Sequence, residues 1–174
     1  SLTTGASGAS DASAPTFGID SSTLGGMYGD TITLIANESG TGVRIREDMT
    51  ALGGSIKITA DGQLIMSDAA EIQGRSIELT SDNSSVELNA TEIAASQSAA
   101  GDGGELTITA ATSVTLVDGS LESTKSTNGN GGSIDIVANQ LVDKSNSVQG
   151  STRVAAGDLQ VNLTDTAEIT QSAY

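Results

Sequence analysis

The side chains of this sequence that could carry out chemistry are almost all carboxylates. Its 174 residues include 22 Asp and Glu, no histidine and no cysteine, which excludes histidine-based triads, cysteine nucleophiles and the common transition-metal sites. Glu71, Glu92 and Glu122 each lie next to an aliphatic residue in a polar surrounding, and clustered acids are the catalytic groups of sugar-cleaving enzymes. A stacked acidic column is therefore one catalytic hypothesis, and a solvated charged face is the simpler interpretation.

Two glycine-rich segments could supply oxygen ligands to a hard cation. Asp102-Gly103-Gly104 and Asn128-Gly129-Asn130-Gly131-Gly132 contain the Asp and Asn side chains that Ca²⁺ prefers. The tandem Gly-Gly-x-Gly-x-Asp repeat of calcium-loaded β-rolls is absent. We therefore interpret both segments as corner loops, and we predict no catalytic, cofactor-binding or metal-binding residue and no cofactor.

Composition restricts both the partners and the core. Only seven Lys and Arg oppose the 22 acids, and the resulting formal charge of -15 would repel a phosphate backbone, so no nucleic-acid partner is expected. No apolar run is long enough for a membrane helix, so no membrane insertion is expected. Aromatic residues make up 2% of the chain. The core must therefore be built from Ile, Leu, Val and Ala, and sugar-binding aromatic platforms are scarce.

The elements that must position these side chains come from a pattern that occurs six times. Each copy is a glycine followed by two aliphatic residues that flank one polar residue. The first aliphatic residues are Ile32, Ile56, Ile77, Leu106, Ile134 and Leu159. They are separated by 24, 21, 29, 28 and 25 residues, and a sustained spacing of this size predicts a solenoid.

Two further apolar positions recur between these copies. The second is an alternating pair: Val43/Ile45, Leu64/Met66, Val86/Leu88, Val114/Leu116, a weaker Leu141, and Ala167/Ile169. The third is a single anchor: Ile72, Ile93, Leu121 and Val148. Three short strands per turn predict an all-β parallel β-helix of about six coils. Asn37, Asp61, Asp82-Asn83 and Asn139 lie between the first two strands and suit a left-handed corner.

The predicted coil places equivalent residues directly above one another. Alternation along a strand puts Ile56 and Ile58 inside and Lys57 outside. Lys57 and Glu78 then become vertical neighbours. Extra residues collect after the third strand, at Ser96–Gly104 and Ser123–Gly132, and this corner is where we would first look for a binding site.

The N-terminal residues 1–14 form a low-complexity Ser/Gly segment that we expect to pack on the shaft or lead into it. Residues 15–174 are predicted to form one β-helix segment of a longer repeat protein. Phe17 and Ile19 are expected to form the third strand of a preceding coil.

An antiparallel sandwich is the competing fold, because turns every eight to twelve residues are also typical of it. Its two-residue hairpin turns would be of Asn-Gly or Asp-Gly type. Asp61-Gly62 and Asp118-Gly119 fit that description.

The N-terminal block resembles a recurring block of filamentous-haemagglutinin-type exoproteins, the secreted partners of bacterial two-partner secretion systems. The similarity is carried by Pro15-Thr16-Phe17-Gly18-Ile19-Asp20, by Leu24-Gly25-Gly26-Met27-Tyr28, by Ile32-Thr33-Leu34-Ile35 and by Glu38-Ser39-Gly40-Thr41-Gly42-Val43-Arg44. Gly29 stands where the family usually has Ala, and Ala36-Asn37 where Gly-Thr is common. The resemblance implies a right-handed β-helix outside the cell envelope, exported by an outer-membrane transporter that acts on a region outside this segment.

The resulting functional expectation is a non-enzymatic shaft segment of a large secreted filamentous adhesin, which presents or mediates attachment at the bacterial surface. A host or bacterial surface glycan or protein is a possible receptor. The first alternative is the same shaft in a carrier of contact-dependent growth-inhibition toxins. The second is a polysaccharide-active β-helix of the tailspike or lyase type.

Overall fold

The chain folds as a parallel β-solenoid of about five turns. A computed structural model describes residues 16–95, 103–118, 120–123, 132–144, 153–156, 158–164 and 168–170. Residues 1–15, and therefore the predicted N-terminal segment, lie outside the described residues. Each turn passes through three faces, which we number in the order of the sequence repeat.

The first face contains β3 (Thr31–Ala36), the C-terminal halves of β5 (Met49–Ala60) and β7 (Glu71–Ser81), β10 (Glu105–Ala110), β13 (Ser133–Ala138) and β16 (Asp158–Leu163). The second face contains β1 (Thr16–Asp20), β4 (Thr41–Ile45), β6 (Leu64–Met66), β8 (Val86–Asn89), β11 (Ser113–Val117), β14 (Gln140–Lys144) and β17 (Glu168–Thr170). The third face contains β2 (Met27–Tyr28), the N-terminal halves of β5 and β7, β9 (Glu92–Ala95), β12 (Ser120–Ser123) and β15 (Arg153–Ala156).

The first face has the register predicted from the repeat. Ile32, Ile56, Ile77, Leu106, Ile134 and Leu159 pair in that order through parallel strands. The side chains of Ile56, Ile77, Leu106 and Ile134 are at most 1% exposed, because alternation turns every second residue inward. Six rungs on this face span five turns of chain.

Within the described residues, which leave out Ala167, the second and third faces agree with the predicted pairs apart from two assignments. Phe17 pairs with Gly42 and Ile19 with Val43, so β1 belongs to the second face and the assignment of Phe17 and Ile19 to a third strand is wrong. Leu121 pairs with Val154, so Val154 takes the level predicted for Val148, which lies outside the described residues. Two methionines, Met27 and Met49, extend the third anchor before Ile72.

Left-handed backbone at non-glycine residues occurs at a different corner from the predicted one, where Gly40 has a φ of 73°. Among the described non-glycine residues, positive φ angles occur at Asp68, Ala69, Ala90 and Asp118, all between the second and third faces. The predicted corner between the first two faces instead uses side-chain hydrogen bonds between coils. Asp61 Oδ2 accepts from the Gly40 N–H at 2.6 Å, and Asn83 Nδ2 donates to Asp61 Oδ1 at 2.8 Å.

Strand direction excludes the antiparallel sandwich, because every strand pair described is parallel. Asp61-Gly62 joins β5 to β6, which lie on different faces, so it is a solenoid corner and no hairpin. Right-handed winding stays an expectation from the resemblance.

The predicted ion pair is present on the first face, with Lys57 Nζ 2.7 Å from Glu78 Oε1. Both side chains are nearly half exposed, so the pair should contribute less than about 1 kcal/mol. We expect Glu78→Gln to lower the free energy of unfolding by that small amount in dilute buffer and by almost nothing in molar salt. Urea unfolding at two salt concentrations measures it, with Glu105→Gln as the control. A loss above 2 kcal/mol would mean that the pair governs register.

Candidate functional site

The predicted acidic column is not a set of three stacked carboxylates. Glu71 and Glu92 are direct neighbours on the third face, but Glu122 pairs with Ala94 and therefore lies two residues further along its strand. The cause is that Glu71 and Glu92 precede their anchors whereas Glu122 follows Leu121. Glu71 also accepts a hydrogen bond from the Gln73 amide. The catalytic column hypothesis is therefore wrong in its geometry.

The calcium hypothesis gains no support from the described residues, in which no group of three or more acidic side chains could hold a metal ion. Asp102 and residues 128–131 lie outside the described residues. Within the described ranges, no helix has the length and apolarity needed to cross a membrane.

The corner between the third and first faces is the most distinctive surface of the solenoid. Here Gly54, Gly104 and Gly132 lie where a side chain would strike the coil before it. A Cβ added to Gly54 would lie 1.6 Å from the Asp30 carbonyl oxygen, and one on Gly132 would lie 2.0 Å from that of Gly104. At these three levels only glycine lets the coils stack, which explains why the repeat begins with glycine there; at Gly29 and Gly74 an added Cβ would meet nothing closer than 3.8 and 3.4 Å.

Both predicted insertions leave the solenoid at this corner, and their bases are fixed in the same way. The Gly104 N–H donates to the Ala95 carbonyl at 3.0 Å, and the Gly132 N–H donates to the Ser123 carbonyl at 3.1 Å. The buried Ser123 hydroxyl donates to the Gly104 carbonyl at 2.6 Å, which joins the two bases. Residues 96–102 and 124–131 themselves lie outside the described residues, but their attachment points confirm the predicted corner.

An open groove of about 930 Å³ follows the same corner along the solenoid axis. Its described lining comes from six successive rungs of the first face and from the glycines and Arg75 that precede them: Thr31, Gly53, Gly54, Ser55, Arg75, Ser76, Gly103, Gly104, Glu105, Gly132, Ser133 and Asp158. With about 4.8 Å between rungs, the groove is about 24 Å long. Sequence reasoning located the corner through the insertions but did not find the groove.

The family-like block at the N-terminus forms a cross-linked first coil. The Arg44 guanidinium lies 4.0 Å from the centre of the Phe17 ring and 3.5 Å from the Asp20 carboxylate. Hydrogen bonds from Ser22 lower the pKa of Asp20 below its usual value, and the positive charges of Arg46 and Arg44 lower it further. These contacts attach β1 to β4, a role that motif similarity alone did not indicate.

Ser21 is a buried polar residue of this block, and its hydroxyl oxygen accepts the N–H groups of Arg46 and Glu47 at 2.7 and 3.1 Å. Ser21→Ala should leave both donors without this acceptor and cost about 1–3 kcal/mol locally. We expect faster hydrogen exchange at the Arg46 and Glu47 amides, with little change beyond β7. Ser39→Ala is the matched control, because Ser39 is an exposed serine of the same block and is not a partner of Arg46 or Glu47. Unchanged exchange at both amides in the Ser21 variant would contradict this role.

Parts of this chain are similar in sequence to segments of two CdiA proteins. The chain is 41% identical over 59 residues to the tRNA nuclease CdiA-2 of Burkholderia pseudomallei strain 1026b, a match that covers 34% of this chain and 2% of that protein. It is 45% identical over 51 residues to the toxin CdiA of Yersinia pestis, which covers 29% of this chain and 2% of that protein. No protein-family model matches the chain, and no solved structure does.

The matched segments therefore correspond to a very small part of each relative's length. They support a relationship to CdiA proteins of contact-dependent inhibition. The nuclease activity in the first relative's name is a property of that whole protein.

Proposed function

We propose that this chain is a shaft segment of a large CdiA-type exoprotein at the bacterial surface. In this role it is a rigid spacer that holds toxic or receptor-binding elements away from the producing cell. The observation that carries the proposal is the unbroken parallel register of the first face through six rungs. A coil that contacts only its neighbours can be repeated to any length, which is the property that a shaft needs.

The two CdiA matches favour the contact-dependent inhibition carrier over the filamentous adhesin. An adhesin shaft is the second candidate, supported by the haemagglutinin-like block at residues 15–46. Both roles imply export by an outer-membrane two-partner-secretion transporter and a secreted or cell-surface location. A cysteine-free acidic chain suits such export, because it forms no disulfides while unfolded and its charge keeps it soluble.

A shaft role places catalysis outside this segment. The sequence has no histidine or cysteine, and Glu71, Glu92 and Glu122 do not lie in one column. The toxic activity of such a carrier would then belong to another part of the same protein.

The proposal is tested by exchanging the segment within the full-length exoprotein. We expect replacement by the same number of coils from an unrelated β-solenoid to preserve inhibition of target-cell growth. We also expect the isolated 174-residue chain to leave tRNA intact and to be harmless when produced in the target cytosol. Cleavage of tRNA by the isolated chain, or loss of inhibition on exchange despite normal surface display, would contradict a spacer role.

A further inference from the structure

Four Asn-x-Ser/Thr sequences occur along this chain. The pattern is the acceptor sequence for asparagine-linked glycosylation when the middle residue is not proline. The four are Asn37-Glu38-Ser39, Asn83-Ser84-Ser85, Asn89-Ala90-Thr91 and Asn162-Leu163-Thr164. In a chain rich in Ser and Thr, some matches to so short a pattern arise by chance. The structural surroundings of each sequence therefore decide whether it can act as an acceptor.

The asparagine side chains of three of these sequences are already used as hydrogen-bond donors between coils or along a strand. The donor and acceptor pairs are Asn83 with Asp61, Asn89 with Glu87 and Asn162 with Asp135, at 2.8, 2.8 and 3.3 Å. Every acceptor is a carboxylate, and hydrogen bonds to ionised groups are stronger than neutral ones. Each of these amides must give up such a bond before it can react elsewhere.

The hydroxyls and the backbone of the same three sequences are also constrained. Thr91 is 2% exposed, and the Thr164 hydroxyl donates to Asn139 Oδ1 at 2.6 Å. Asn162 lies in β16, which is paired with β13, and the Asn83 N–H donates to the coil before it. A transferase would have to detach each of these segments from the solenoid.

Asn37-Glu38-Ser39 differs from the other three sequences on each of these points. It lies in the connection between β3 and β4, outside both strands, and all three residues are exposed. Within the described part of the chain, neither the Asn37 amide nor the Ser39 hydroxyl forms a hydrogen bond. The next residue is anchored, because the Gly40 N–H donates to Asp61 Oδ2 at 2.6 Å. The corner therefore presents a free amide and a free hydroxyl from a fixed base.

The surface beside Asn37 has room for an attached sugar. An open cavity of about 260 Å³ lies there, and its walls include Gly18, Ile19 and Ile35. Ile35 is 55% exposed, which is unusual for a large aliphatic residue of this solenoid. A hexose on Asn37 can lie in the cavity with its C–H face against Ile35, so that attachment covers apolar surface.

We propose that Asn37 is an acceptor site for asparagine-linked glycosylation by a transferase that uses a nucleoside-diphosphate hexose. In this reaction Asn37 Nδ2 forms a bond to the anomeric carbon of the hexose, and the bond from that carbon to the donor phosphate breaks. The nucleoside diphosphate leaves with the electron pair, and a base of the transferase takes one Nδ2 proton. The Ser39 hydroxyl is the group that the transferase recognises two residues after the asparagine. This modification is a property beyond the spacer role.

The test incubates the folded 174-residue chain with a bacterial asparagine-linked hexosyltransferase and its nucleoside-diphosphate hexose. Intact mass spectrometry counts the hexoses added, and fragmentation of proteolytic peptides assigns the modified residue. We expect one hexose per chain, on Asn37. Asn37→Gln and Ser39→Ala should each abolish this modification, whereas Ser39→Thr should retain it because threonine also supplies the hydroxyl.

Asn162→Gln is the matched control, because it removes another exposed asparagine of the same pattern. It should be modified like the parent chain. Synthetic peptides that span each of the four sequences separate the effect of the fold from that of the sequence, and we expect all four to be accepted. Failure of the transferase to modify Asn37 in the folded chain or in its peptide would overturn the proposal. Equal modification of Asn83, Asn89 or Asn162 in the folded chain would also overturn it. None of these outcomes bears on the spacer role, which the exchange experiment tests separately.

Discussion

Replacing Leu106 by aspartate should open the solenoid at its middle. Leu106 is fully buried and packs in the column between Ile77 and Ile134. The substitution removes a buried aliphatic side chain and places an unpaired carboxylate in an apolar interior, a combination that costs about 4–5 kcal/mol. That is a large part of the roughly 5–15 kcal/mol that stabilises a typical domain.

The measurement is urea unfolding followed by circular dichroism, together with hydrogen exchange along the chain. We expect exchange to accelerate most in β7, β10 and β13, because coils in a solenoid depend on their neighbours. Thr109→Asp is the control in the same strand, since Thr109 lies between Thr80 and Val137 and is not in the buried core. Equal destabilisation by both substitutions would show that strand propensity, and not burial, sets the cost.

The second large effect is expected from adding a single methyl group at the glycine corner. Gly54→Ala would place its Cβ 1.6 Å from the Asp30 carbonyl oxygen, which is backbone and cannot rotate away. Adjacent coils must then separate, and the cost should be about 3 kcal/mol. We expect a lower urea midpoint and faster exchange at the Ser55 amide, which donates to that carbonyl at 3.2 Å.

Gly29 provides the matched control for this prediction. It also precedes a first-face strand, but an added Cβ there would meet nothing closer than the Thr31 carbonyl oxygen at 3.8 Å. Gly29→Ala should be neutral within about 0.5 kcal/mol. If Gly54→Ala were equally well tolerated, close approach of the coils would not explain the glycine column.

Most of the architecture could be predicted because the alternation of aliphatic and polar residues indicates directly which side chains are buried. Alternation along the strand turns the same positions inward in successive coils, as at Ile56 and Ile58 in β5 and at Ile77 and Leu79 in β7. Their vertical neighbours follow from the repeat spacing. The prediction was weaker where a repeat carries no such alternation. Val148 is predicted at the level that Val154 occupies, because both valines follow Leu121 across a polar stretch and only strand pairing distinguishes them.

The corners and the candidate site were less accessible from sequence. Asp61 and Asn83 suit left-handed backbone, but their side chains instead form a hydrogen bond between neighbouring coils. Ala69 and Ala90 have left-handed backbone, which alanine does not favour. The groove depends on which residues become adjacent after stacking. Ser55 and Ser76 carry no signal of that adjacency until the register is known.

The most direct test of the stacked parallel coil is a methyl NOE spectrum of the isolated chain. Parallel stacking predicts contacts between Ile56 and Ile77 and between Ile58 and Leu79, which are paired in the same direction along both strands. It further predicts a contact from Ile77 to Leu106. The crossed pattern, with Ile56 against Leu79 and Ile58 against Ile77, would mean antiparallel strands and would contradict both the solenoid and the shaft proposed from it.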